Sequence, residues 1–169
     1  MTRQPKFAKV SEEWIEGLCA NWPDDFHSFH LHTLLVVANC AAQEIVRRWN
    51  PEKGRGEEYW AGRDWIPVNL KLEDVCLWCG CDREDNRLRR RMRRLSQPIG
   101  SFPPPLKDVK IWPALYFGDM RVSFSVDTRY AHCPKPFTQV DLPVPIGSRW
   151  RAIAHLRSFV GKWAVCDER

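Results

Sequence analysis

Seven arginines stand between Arg83 and Arg94, against only two acids, Glu84 and Asp85. Guanidinium groups at this density suit recognition of oxyanions. Arginine pairs bidentately with phosphate or with the edge of guanine, and it never loses its charge. The formal net charge of the 169-residue chain is +5. Outside this stretch the charge is close to balanced, so the basic character is local. No catalytic arrangement competes with it. The sequence has no glycine-rich phosphate cradle, no nucleophilic serine motif and no kinase or nucleotidyltransferase string. Metal-assisted phosphodiester cleavage needs carboxylates that converge on a divalent ion. Asp24-Asp25, Glu57-Glu58 and Asp82/Glu84/Asp85 each fall in a loop or helix cap instead. The expectation is a binding protein rather than an enzyme, with no cofactor.

Helical spacing positions the arginines. Leu88, Met92 and Leu95 repeat at intervals of four and three, a core seam. At about 100° per residue, Arg83, Arg87, Arg90, Arg93 and Arg94 gather on the opposite side with Asn86, and Arg89 and Arg91 flank them. A helix is expected over Arg83–Leu95, preceded by a shorter one over Lys71–Gly80 with Leu72, Val75, Cys76 and Cys79 inward and Gly80 as its stop. Two helices joined by a short turn, the second one basic, make a helix-turn-helix. Two extended runs follow, Ile111–Phe117 and Met120–Val126, and Gly118-Asp119 between them reads as a two-residue hairpin turn. That hairpin is a wing, from which Arg121 can clamp a backbone. The candidate nucleic-acid-binding residues are therefore Arg83, Asn86, Arg87, Arg90, Arg91, Arg93, Arg94 and Arg121.

Other elements complete an α+β winged helix-turn-helix with a long N-terminal helix and a C-terminal helix. Residues 1–27 read as an arm and a short helix capped by Ser11, and residues 28–169 as the winged-helix domain. Ser28–Trp49 is the longest helix, capped by Ser28 and apolar almost all round, so it is expected at the centre. Trp65–Leu70 reads as an edge strand because Pro67 has no N–H for a central ladder. Ser148 opens the last helix, with Ile153, Leu156, Val160 and Trp163 as its apolar stripe.

Several strings in this order carry a resemblance. They are Val68-Asn-Leu-Lys-Leu-Glu-Asp-Val, the Arg87–Leu95 helix, Val122-Ser-Phe-Ser-Val, Pro136-Phe-Thr-Gln-Val-Asp-Leu and Ser148-Arg-Trp-Arg-Ala-Ile-Ala-His-Leu-Arg-Ser-Phe. Together they resemble the first winged-helix domain of plasmid-type replication initiator proteins, over about Phe29–Trp163. The resemblance implies a winged-helix fold and a role on DNA. Members of that family continue into a second winged helix, whereas this sequence closes at Arg169 after the first. The expected partner is nucleic acid, duplex DNA ahead of RNA, with a homodimer or a larger nucleoprotein complex as further partners. The alternative is a small subunit, or a phage- or plasmid-encoded inhibitor, that docks on such a complex through the basic helix.

Three other groups of residues have plainer roles open to them. Cys76-Leu-Trp-Cys79-Gly-Cys81 has one C-x-x-C spacing, and His132 or Cys133 is the distant source of a fourth zinc ligand. Buried free thiols on a helix explain the same cysteines more simply. His27, His30 and His32 read as structural, since His30 and His32 point about 200° apart on a helix. Trp60, Trp65, Trp78, Trp112 and Tyr116 offer stacking surfaces or, more often, core. Seven cysteines, no signal-peptide core and no membrane-length apolar run predict a soluble protein of the reducing cytoplasm.

Overall fold

The computed structural model describes residues 3–47, 64–84, 86–113, 118–131 and 136–160. Strand β1 (Phe7–Ser11) leads directly into helix α1 (Glu12–Ala20), where the Ser11 hydroxyl accepts from the Trp14 N–H at 3.4 Å. Helix α2 (Ser28–Arg47) follows. Next come strand β2 (Trp65–Lys71), helix α3 (Leu72–Cys79), helix α4 (Arg87–Leu95), strand β3 (Leu106–Pro113) and strand β4 (Met120–Asp127). A single turn α5 (Thr128–Ala131), strand β5 (Phe137–Asp141) and helix α6 (Arg149–Arg157) complete the order. The fold is α+β with two small antiparallel sheets, β1-β5 and β2-β4-β3. No helix among the described residues is long and apolar enough to cross a membrane.

The core surrounds α2. Leu31, Leu34, Val37 and Ala41 are wholly enclosed, and elements from both sheets together with α3, α4, α5 and α6 pack on this helix. Its expected cap is different in the structure. His27 occupies the capping position: its carbonyl accepts from the His30 and Leu31 N–H groups, and its own N–H donates to His30 Nδ1 at 2.9 Å. The His30 bond is one half of a capping box, with histidine in the usual glutamate place. The Ser28 hydroxyl instead accepts from the Gly147 N–H, tying a distant loop to the helix start.

In the three-stranded sheet Ile66, Val68 and Leu70 of β2 face inward opposite Val126, Phe124 and Val122 of β4. β2 is an edge strand as the position of Pro67 implied. The hairpin departs from expectation. β3 begins at Leu106, and Pro113 pairs with Met120, so six residues connect the strands rather than Gly118-Asp119 alone. A two-residue turn at Gly118-Asp119 places Phe117 opposite Met120, where Pro113 stands instead; residues 114–117 lie outside the described residues. A bulge between Lys107 and Lys110 places Asp108 at φ 54°, a left-handed conformation that aspartate tolerates better than most. The N-terminal segment expected as an arm is stitched in, because β1 pairs with β5 and buries Ala8 and Val10.

Candidate nucleic-acid interface

Helix α4 starts at Arg87, four residues later than its spacing suggested, because Asn86 holds the N-cap position. Arg83 therefore lies in the turn, exposed, and Glu84 donates its N–H to the Asp82 carboxylate there. Leu88, Met92 and Leu95 are buried as expected. Burying three such side chains stabilises this orientation by roughly 5–9 kcal/mol. Like-charge pairs along a helix cost only about 0.2–0.5 kcal/mol each. The core seam therefore decides which way the helix faces, and the arginines follow.

They divide into two sets. Arg87, Arg89, Arg90 and Arg93 are exposed, and so is Asn86, whose side chain makes no cap hydrogen bond. Arg91 is the correction. It was expected among the binding residues, yet it is only 8% exposed. Its Nη1 donates to the Cys79 carbonyl at 2.8 Å and approaches Thr33 Oγ1 at 3.4 Å, and its guanidinium lies 4.9 Å from the Phe29 ring centroid. Arg94 is also committed inward, its side chain 11% exposed. It donates to Pro98 O and Asp25 Oδ1, both at 3.1 Å, and sits over the Phe26 ring. Its Nε lies 2.9 Å from Asp25 Oδ2 as an ion pair, but off hydrogen-bond geometry. Two arginines thus rest on an aromatic shelf at the start of α2, and four face water.

The turn before α4 is held by an unusually complete set of hydrogen bonds. A helix leaves its last four carbonyls without partners inside the helix. At the end of α3, Cys76 O accepts from the Cys81 N–H and Leu77 O from the Gly80 N–H, with Gly80 left-handed at φ 64°. These two bonds form a Schellman closure. Trp78 O accepts from His32 Nε2 at 3.0 Å, and Cys79 O from Arg91. All four carbonyls are satisfied, two of them by side chains from α2 and α4. The Arg91 charge also faces the negative end of α3, where a cation is favoured.

His32 bridges further, since its Nδ1 accepts from the Val144 N–H at 3.1 Å. That pattern assigns the neutral tautomer with the proton on Nε2. Burial pushes its pKa down, against a raising contribution from the Trp78 carbonyl. His30, stacked on Phe26, is pushed down to about 4 by burial, then by His27 and the nearby Arg94 and Arg91. Both imidazoles are structural and neutral near pH 7.

Arg121 on β4 is partly buried and donates through Nε to Asn69 Oδ1 at 3.0 Å, so β2 holds it in place. Lys71 and Asp119 form an exposed pair beside it at 3.5 Å. Cys76 and Cys79 are core residues, and burial pushes the Cys76 thiol up to about 11 and the Cys79 thiol higher than its ordinary value. Among the described residues no group of three or more histidines, cysteines and carboxylates is placed to hold a metal ion. His132, Cys133, Trp60 and Tyr116 lie outside the described residues.

The aromatic shelf and Asp25 were missed by sequence reasoning. Phe26 and Phe29 sit at helical spacing, but Asp25 lies 69 positions from Arg94, and no local pattern links them. Position 91 did carry a signal. It stands three residues after Leu88 and four before Leu95, within the buried arc. No family model, curated protein or solved structure matches this chain.

Proposed function

We propose that this chain is a non-catalytic nucleic-acid-binding protein of winged helix-turn-helix architecture, with α4 as its recognition helix and β3-β4 as its wing. The order α2, β2, α3, α4, β3, β4 with sheet order β2-β4-β3 supports that architecture. One observation carries the function. Arg87, Arg89, Arg90 and Arg93 are exposed on one side of a helix whose other side is core, and no acid lies on that helix. Phosphate contacts of this kind position a protein without reading sequence, so affinity for nucleic acid is the primary property. Descent from the first domain of a plasmid-type replication initiator is a further proposal within this reading. It rests on the strings that lie over β2–α3, α4 and β4.

Anisotropy titration against duplex DNA, single-stranded DNA and RNA at several salt concentrations tests the proposal. Duplex binding with a Kd of about 10⁻⁶ M or tighter is expected, with a log–log salt slope of about −3 to −4 for four engaged phosphates. Arg90→Glu combined with Arg93→Glu should weaken it at least about tenfold. A second reading, docking on a larger nucleoprotein complex, is favoured by Leu77, 71% exposed on α3. Failure of the isolated chain to bind any nucleic acid would favour that reading and overturn the first.

A further inference from the structure

We propose that the N-terminal end of α6 is a second nucleic-acid contact, where Trp150 stacks on an unpaired base and Arg149 and Arg151 take the flanking phosphates. This rests on the reading of α4 as a nucleic-acid contact and extends it to a substrate class: duplex with an adjoining unpaired segment.

Trp150 is 67% exposed, although α6 is firmly seated through buried Ala152, Ile153 and Leu156. The loop before it is pinned to α2 at two points, Val144 N–H to His32 Nδ1 and Gly147 N–H to Ser28 Oγ. The indole is thus presented by a rigid element. The Arg149 guanidinium lies 5.1 Å from the ring centroid, and Arg151 is exposed on the same turn. α6 contains no acid, and its further basic residue Arg157 is exposed. An indole among cations complements a polyanion whose units carry π faces, and base–aromatic stacking tolerates any sequence. An apolar protein surface would have to strip water from two guanidinium groups to reach the same ring.

Location joins this patch to α4. Asp24 Oδ1 is 3.7 Å from Arg149 Nη1, and the next residue, Asp25, holds Arg94 of α4. Consecutive Cα atoms are about 3.8 Å apart, so the start of α6 lies beside the last turn of α4, which also carries the exposed Arg93. The Asp24 carboxylate is fully exposed, and such a pair is weak enough to exchange for phosphate.

The test compares a blunt duplex with the same duplex bearing a short single-stranded extension, by anisotropy, using the full chain. The extended duplex should bind between about five- and a hundredfold tighter. Trp150→Ala should erase that difference and leave blunt-duplex affinity unchanged, while Trp150→Phe keeps most of it. The thermal midpoint of Trp150→Ala should match that of the parent chain; a marked drop would assign the ring to packing and overturn the proposal. Equal binding of both duplexes that still requires Arg90 and Arg93 would overturn the stacking contact and leave the α4 reading standing. Absence of binding to either would overturn both. Loss of self-association in Trp150→Ala, seen by sedimentation without nucleic acid, would assign the patch to a protein contact instead.

Discussion

Arg91 and Arg90 are neighbours of identical chemistry with opposite roles. Arg91 closes the last carbonyl of α3 from inside the core, and Arg90 stands in water. Arg91→Met keeps the apolar stem but leaves the Cys79 carbonyl unpaired, which should cost about 1–3 kcal/mol of stability. Urea denaturation should show that loss, with duplex affinity unchanged well below the midpoint. Arg90→Ala should do the reverse, leaving the urea midpoint within about 0.5 kcal/mol of the parent and weakening nucleic-acid binding. The spacing of Leu88, Met92 and Leu95 made the division between core and solvent legible. It could not show that an arginine inside the buried arc would find a carbonyl, a hydroxyl and an aromatic ring, because those belong to α3 and α2.

Among the elements, the turn between α3 and α4 controls the presentation of the basic face. Gly80 occupies φ 64° with open space around the position of a Cβ, so substitution there is a matter of backbone conformation rather than collision. Gly80→Ala should lower stability by about 1 kcal/mol, and Gly80→Asn by less, measured by thermal melting. The stop at Gly80 was readable because a left-handed residue after a helix favours glycine. The start of α4 was not, since Arg83–Asn86 is equally compatible with a helical turn by spacing. The hairpin likewise obeyed its alternation at Val122, Phe124 and Val126, but its register did not follow from Gly118-Asp119. A bulge at Asp108 and pairing of Pro113 with Met120 set that register, with β3 packed between β4 and α4, and a local turn signal carries none of this.

For the molecule as a whole, buried neutral histidine links stability to pH. His32 ties α2 to the end of α3 and to the loop before α6, and His30 closes the cap of α2. Both have lowered pKa values in the folded chain, so the unfolded chain takes up protons first as the pH falls. Their contribution is complete above the ordinary histidine value of 6.5 and declines below it, levelling off for His30 near its folded value of about 4. The urea midpoint should therefore fall between pH 7 and pH 4.5, and His30→Gln should reduce that dependence. Arginine stays charged throughout such a window, so the binding face persists while the scaffold weakens.

The α+β class, the central apolar helix, the edge strand at Pro67 and the exposed arginine face were all legible along the chain. Each follows from periodicity or from a residue with one conformational use, and both are local properties of the chain. Packing, by contrast, pairs β1 with β5, turns Arg91 and Arg94 inward and lets Asp24-Asp25 join α4 to α6. Those choices depend on side chains separated by tens of residues, and their energies exist only once the elements have packed.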